Sequence, residues 1–272
     1  MFYVPYMRPL IVTFVSSPYI PVGRNWVSAV LSVQPEADIL VVALDSETNA
    51  SFDDCPVNVL FRPLDEGDLG ALWVHRLDVL IELLDQGTDL IHSDADAVWV
   101  KNPLPLMQAA RANMVFSQGT VWPADIHSKR GLVLCCGLFY LQNTPDVRDF
   151  LVRIGRRVSE ERDDQVSINR ELDDIIGKWR VEEPYSIAFR GTRFTASHEL
   201  ISGASKSGLT VAVIPHHIVP RIISALDEHV MVAHPFSGKT CAEKEKVLSE
   251  LGLWGIGRFS EGIESGGRDA IK

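Results

Sequence analysis

The chain has 272 residues, 46% hydrophobic and 23% charged, a balance that suits one large globular domain with a sizeable core. Its net charge of −10 argues against nucleic acid or an anionic membrane as the main partner, though local cations or a metal can still hold a phosphate ligand. No stretch approaches the roughly 18 apolar residues that span a bilayer, and no basic region leads into an apolar run at the start, so the expectation is a cytoplasmic protein without a transmembrane segment.

Apolar strands alternate with amphipathic helices through the first half of the chain. Leu10–Val15 reads as a buried strand, followed by a Ser/Pro loop and a helix near Gly23–Val33. Ile39–Leu44 and Val57–Phe61 read as the next strands. Asp68 is placed to cap a helix running to about Gln86, with Gly87 as its stop. Its apolar positions Trp73, Leu77, Leu80, Ile81 and Leu84 share one face, and Arg76 stands on the flank of that stripe. Asp89–His92 is a short strand leading into Ser93-Asp94-Ala95-Asp96. This alternation predicts a largely parallel, helix-covered sheet.

The second half is mixed. Leu132–Leu141 reads as a strand containing Cys135 and Cys136 as small core residues; with Cys55 and Cys241 the chain has no CxxC pair, which disfavours a zinc ribbon. Thr144-Pro145 opens a helix, and a second runs from about Asp164 to Ile176. Val211–Ile214 and Val230–Ala233 are short strands, the latter ending at His234. Thr240 and Glu243 form a capping box for a helix to about Leu251. The predicted domain spans 1–254, and the polar tail 255–272 is expected to be mobile.

The sharpest chemical signal is Asp94-Ala95-Asp96 at a strand end. Residues two apart in extended backbone point the same way, so both carboxylates can meet at the edge where open α/β sheets bind ligands. A divalent cation relieves the repulsion between them. A solvated Asp pair is the bland reading, but Ala97-Val98-Trp99-Val100 returns at once to buried structure. His234, also at a strand end, can add a nitrogen ligand, a mixture that suits Mn²⁺ better than Mg²⁺. Gly238 permits close backbone approach, and Lys239 offers a point charge for phosphate near a helix start. Gln165 falls with Asn169, Leu172 and Ile176 on a buried stripe, where a polar amide needs partners that a ligand can supply. Arg76 is either a site residue or an exposed partner of an acid such as Asp78. His216 and His217, between Pro215 and Pro220, either border an acceptor cleft or belong to an ordinary loop.

With these residues in hand, the chain resembles the nucleotide-diphospho-sugar transferases related to plant α-xylosyl- and α-galactosyltransferases. The stretch from Leu83-Leu84-Asp85-Gln86-Gly87 through Asp94-Ala95-Asp96-Ala97-Val98-Trp99 to Asn102-Pro103 is similar to that family's central block. The resemblance implies a GT-A (Rossmann-like) α/β fold with a mixed, mostly parallel sheet flanked by helices in a single domain. It implies a nucleotide loop at Thr13, Phe14, Ser16 and Tyr19, and further nucleotide-sugar contacts at Arg76, Ser93, Ala95 and Gly137. It further implies metal ligands at Asp94, Asp96 and His234, diphosphate contacts at Gly238 and Lys239, and chemistry at Asp164 and Gln165. Ser16 and Cys135 stand where family members often have Asn. The implied activity is a metal-dependent, retaining transfer from a UDP-sugar donor to a glycan or other hydroxyl acceptor. Two other classes fit the same residues in part. A phosphatase with a strand-end DxD fits Val98 but wants that motif on its first strand, and a non-catalytic sugar-nucleotide-binding protein would bind UDP without turnover.

Overall fold

A computed structural model of the chain describes residues 8–64 and 68–255. The first half follows the predicted alternation: β1 (Leu10–Val15), α1 (Ile20–Val33), β2 (Ile39–Ala43), α2 (Ser46–Ala50), β3 (Asn58–Phe61), α3 (Leu69–Asp85) and β4 (Leu90–Ser93). Helix α1 begins three residues before the predicted start because Pro21 is tolerated in a first turn. Asp68 caps α3 by accepting from the Gly70 amide, and Gly87 takes φ 94° just beyond its end. Next come β5 (Val98–Trp99), α4 (Leu104–Ala109), β6 (Met114–Gln118), α5 (Ala124–Arg130), β7 (Leu134–Leu141), α6 (Pro145–Glu161) and α7 (Asp164–Ile175). The chain closes with β8 (Trp179–Arg180), β9 (Pro184–Phe189), β10 (Thr192–Ser197), β11 (Ile201–Ala204), β12 (Thr210–Ile214), β13 (Val232–Ala233) and α8 (Cys241–Glu250). The capping box of Thr240 and Glu243 is present at the start of α8. The predicted tail lies, apart from Gly255, outside the described residues.

The main sheet has nine strands in the order β3-β2-β1-β4-β7-β6-β12-β11-β8. Strands β1 to β4 run parallel, β7 runs against both β4 and β6, and β6 and β12 are parallel again. Only β7 and β11 oppose the common direction, which is the mixed, mostly parallel architecture expected. Alternate residues of the strands feed two cores. Val12, Leu40 and Val42 pack with Leu77, Leu80 and Phe150 beneath α3 and α6, whereas Ile11, Val15 and Val41 pack with Trp26 and Val30 of α1 on the other face. No helix of the described residues is long and apolar enough to cross a membrane.

Two small ladders stand outside this sheet. Strands β9 and β10 form a hairpin, and β13 pairs antiparallel with β5. The second ladder is two residues long, Val232 opposite Trp99 and Ala233 opposite Val98. Its continuation brings His234 beside the segment that carries Asp96. The predicted strand Val230–Ala233 is shorter than expected because the Met231 carbonyl is shared by the amides of Val100 and Lys101 instead of continuing a regular ladder.

Candidate active site

Asp94 follows β4 directly, and its amide donates to the Gly137 carbonyl of β7 at 2.7 Å. This bond pins the carboxylate segment where the sheet reverses direction between β4 and β7. Asp94, Ala95 and Asp96 are half-buried between fully buried neighbours, so the motif is the open window in an otherwise closed stretch. One ligand atom from each of Asp94, Asp96 and His234 can be chosen so that all three lie within 4.8 Å of one another. His234 Nε2 stands 3.3 Å from Asp96 Oδ1 and 3.9 Å from Asp94 Oδ2.

Gly137 makes this convergence possible. A Cβ at this position would meet His234 Cε1 at 2.0 Å and Asp94 Oδ2 at 2.7 Å. The hydrogen-only residue therefore leaves the gap into which two carboxylates and an imidazole turn. Two hard oxygen donors and a borderline nitrogen are a fitting set for Mn²⁺ or Mg²⁺.

The charges around the gap are arranged in pairs. Burial opposes ionisation of Asp94, but His92 and Arg76 outweigh it and hold the carboxyl at about 2. Asp96 is likewise held well below the usual carboxylate range against burial, by His234 and Lys244. For His234, burial and Arg221 oppose the charged form, yet Asp96 prevails and raises the imidazole to about 9. Cys135 Sγ lies 3.9 Å from His234 Nδ1; burial opposes its thiolate, but Arg221 and His234 bring it down to about 7.

Arg76 is buried, not exposed, and its partner is not Asp78. One of its nitrogens reaches Asp94 Oδ1 at 3.3 Å and His92 Nε2 at 2.9 Å, while another pairs with Asp164. The side chains of Arg76 and Asp164 are only 3% and 5% exposed, and the guanidinium also lies over Trp73. Arg76 thus ties the start of α7 to the carboxylate at the end of β4. Asp164 is taken up by this pair. Next to it, Gln165 is half-buried: its amide donates to the Trp122 carbonyl at 2.8 Å and accepts from the Cys136 amide at 3.2 Å. The amide expected to need a ligand has found backbone partners.

Ser93 and Thr13 turn their side chains into the core and are fully buried. Ser93, expected at the nucleotide sugar, is a hub for two indoles: its hydroxyl accepts from Trp26 Nε1 at 3.0 Å and from Trp99 Nε1 at 3.3 Å. Phe14 packs near the His92 ring, Ser16 is half-buried at the entry to a short 3-10 turn, and Tyr19 donates to the Lys239 carbonyl. The space beside Gly238 is filled by the Glu243 carboxylate, folded back by the capping box. Lys239 is exposed and makes no ion pair among the described residues. His216 is buried, pushed down to about 4 by burial, and accepts from the amides of Arg221 and Ile222. It staples a turn; His217 is half-buried between His198 and His229.

Three residues at the site had not been singled out from the sequence. His92 continues the alternation of Asp94 and Asp96 backward by two, which was a usable signal. Lys244, which pairs with Asp96 from the first turns of α8, had only its nearness to Lys239 to mark it. Arg221 follows Pro220 in an irregular segment and carried no local signal.

A family model described as nucleotide-diphospho-sugar transferase matches residues 37–242. Among solved structures, the galactosyltransferase LgtC, solved with donor and acceptor sugar analogues, is similar at 14% identity over 59% of this chain and 69% of its own, with a TM-score of 0.45. The glycosyltransferase GlyE of Streptococcus pneumoniae TIGR4 is similar at 12% identity over 61% of this chain and 44% of its own, with a TM-score of 0.41. Mouse xyloside xylosyltransferase 1 is similar at 10% identity over 61% of this chain and 75% of its own, with a TM-score of 0.38. No match to a curated protein was found.

Proposed function

The chain belongs to the nucleotide-diphospho-sugar transferase family, and on that premise we propose that it moves a sugar, with retention, from a UDP-sugar to a hydroxyl acceptor with the help of a divalent metal. The observation that carries this reading is the convergence of Asp94, Asp96 and His234 over the side-chain-free face of Gly137. Those three residues would hold Mn²⁺ or Mg²⁺. A divalent cation there supplies positive charge to a leaving diphosphate.

The chain's own residues divide the remaining work. Lys239, exposed and without an ion pair among the described residues, and Lys244, within reach of Asp96, offer ammonium groups to the diphosphate. Arg76 stays buried and fixes the carboxylate of Asp94, with Asp164 as its anchor, so both act as positioning residues. Gln165 keeps a free lone pair on its amide oxygen after accepting from Cys136. That oxygen would face the positive, oxocarbenium-like anomeric carbon as the glycosidic bond breaks. Phe14, Ser16, Tyr19 and Ala95 would contact the nucleotide. The domain is taken as 1–254.

The pairing of Lys244 with Asp96 favours one second reading, a transferase in which Lys239 and Lys244 neutralise the diphosphate without a metal. A mass-spectrometric screen of UDP-sugar hydrolysis and transfer, run with Mn²⁺ and with EDTA on wild type and Asp96→Ala, separates the two. Metal-dependent turnover lost in Asp96→Ala supports the first reading. Turnover that survives both EDTA and the substitution overturns the metal assignment, and no turnover of any UDP-sugar overturns the donor class.

A further inference from the structure

A line of contacts leads outward from the metal gap to an exposed indole. Gly137 lines the gap, and the amide of its neighbour Cys136 donates to the Gln165 side chain at 3.2 Å. The Gln165 amide donates in turn to the Trp122 carbonyl at 2.8 Å. Trp122 is 54% exposed and is the only exposed tryptophan among the described residues. Its ring is held: the indole Nε1 donates to Asp163 Oδ2 at 3.3 Å. Backbone and side chain of Trp122 are thus both tied to the turn that opens α7, where Asp164 and Gln165 stand. The other large apolar side chains exposed among the described residues are Phe61, Leu226 and Phe236, and Trp122 alone of these four is bonded to that turn.

Beside the indole lies a cavity of about 540 Å³ between the first turns of α5 and α7. Asp125, Glu161 and Asp163 line it together with Arg162 and Arg170. Each of these arginines already has its carboxylate. Arg162 pairs with Asp68, and Arg170 pairs with Asp125 at 2.9 Å and with Glu161 at 3.1 Å. The cavity therefore offers no spare lining cation to an anionic ligand. Asp163 accepts from the Val166 amide and from the indole, which takes two of the roughly four lone pairs of a carboxylate. The others can accept from ligand hydroxyls. An apolar plate beside hydroxyl acceptors, with the arginines already paired, matches a neutral sugar ring better than a charged one.

We infer that Trp122 and Asp163 form the acceptor subsite, with the indole stacked on the C–H face of a neutral pyranoside and Asp163 accepting from one of its hydroxyls. Under the proposed function the diphosphate lies at the metal gap and the anomeric carbon at Gln165. That leaves the position one contact further out, at Trp122, for the acceptor. The inference rests on that reading for the role it gives the bound ring.

Saturation-transfer NMR titrations with UDP and Mn²⁺ present test it. The probes are the α- and β-methyl pyranosides of glucose, galactose, mannose and xylose, with methyl glucuronoside and glucose 6-phosphate as anionic counterparts. The proteins are wild type, Trp122→Ala, Trp122→Phe and Phe61→Ala, the last removing an exposed ring from the edge strand β3. Both Trp122 variants keep the backbone carbonyl that Gln165 uses, and thermal melting checks that each is folded. At least one neutral pyranoside should bind wild type about tenfold or more tighter than either anionic probe, whose charge would face carboxylates. Trp122→Ala should weaken that binding about tenfold, the worth of a lost stacking contact. Trp122→Phe should regain part of the loss, and Phe61→Ala should match wild type. Failure of every neutral probe on wild type, equal or tighter binding of an anionic one, unchanged affinity in Trp122→Ala, or an equal loss in Phe61→Ala would each overturn the inference. Calorimetry of UDP–Mn²⁺ on wild type keeps the two readings apart. A wild type that binds UDP–Mn²⁺ but no pyranoside overturns the subsite and leaves the donor reading. One that binds a pyranoside through Trp122 and ignores UDP–Mn²⁺ overturns the donor reading and leaves the sugar platform.

Discussion

A Cβ on Gly137 would stand 2.0 Å from Cε1 of His234, although 97 positions separate the two residues in sequence. No side chain fits there without moving the imidazole or the Asp94 carboxylate. Gly137→Ala should therefore abolish Mn²⁺ binding at concentrations that saturate wild type, read by electron paramagnetic resonance, with the circular dichroism spectrum retained. Gly155→Ala is the control: it lies inside α6 with nothing near its Cβ position, and should add about 0.5–1 kcal/mol of stability with no effect on metal. Normal Mn²⁺ binding by Gly137→Ala would remove the proposed gap.

The buried pair of Arg76 and Asp164 makes a second test. Arg76→Met leaves a carboxylate 5% exposed without its partner, which should cost about 3–5 kcal/mol in urea unfolding. Arg76→Met/Asp164→Asn should recover a large part of that loss, because the stranded charge goes with it. A double variant no more stable than the single would show that Asp164 is not the group Arg76 neutralises.

Much of this architecture was legible in the sequence because it is local. The caps of α3 and α8, the stripe on α3 and the strand-end position of Asp94 each depend on residues within one or two turns of each other. The meeting of His234 with Asp96 was not legible, since it depends on a ladder of two residues between β5 and β13, too short to leave a period. The β9–β10 hairpin escaped for another reason: β9 opens on Pro184, β10 begins with two exposed polar residues, Thr192 and Arg193, and the turn carries Arg190 where a turn signal favours Asn. The part played by Ser93 was not legible either, since its hydroxyl is claimed by two buried indoles that stand 67 and 6 positions away in sequence.

That hub gives a third prediction. Ser93→Ala orphans the N–H groups of Trp26 and Trp99, both fully buried, and should destabilise by about 2–4 kcal/mol. UDP affinity, measured below the melting transition, should be unchanged. Loss of UDP binding with stability intact would return Ser93 to the ligand.

The imidazole of His234 sets opposite pH trends for the metal-free and metal-bound protein. Its ordinary value of 6.5 is raised to about 9 in the fold, because the attraction of Asp96 exceeds the opposition from burial and Arg221. A raised value means that the charged form stabilises the fold. That contribution is fully present below pH 6.5 and is lost as pH rises through about 9. The metal-free melting temperature should therefore fall across this window. Metal ligation needs the neutral imidazole, so below pH 9 binding must expel a proton. Mn²⁺ affinity should consequently rise with pH, approaching about tenfold per unit, until it levels near 9. Asp96→Asn removes the group that raises the imidazole, so its metal-free melting temperature should lose this downward trend. The measurements are calorimetric Mn²⁺ titration and thermal melting at matched ionic strength from pH 6 to 9.5. Mn²⁺ affinity that stays flat across that range would mean that His234 is not a ligand, and the site would then rest on its two carboxylates alone.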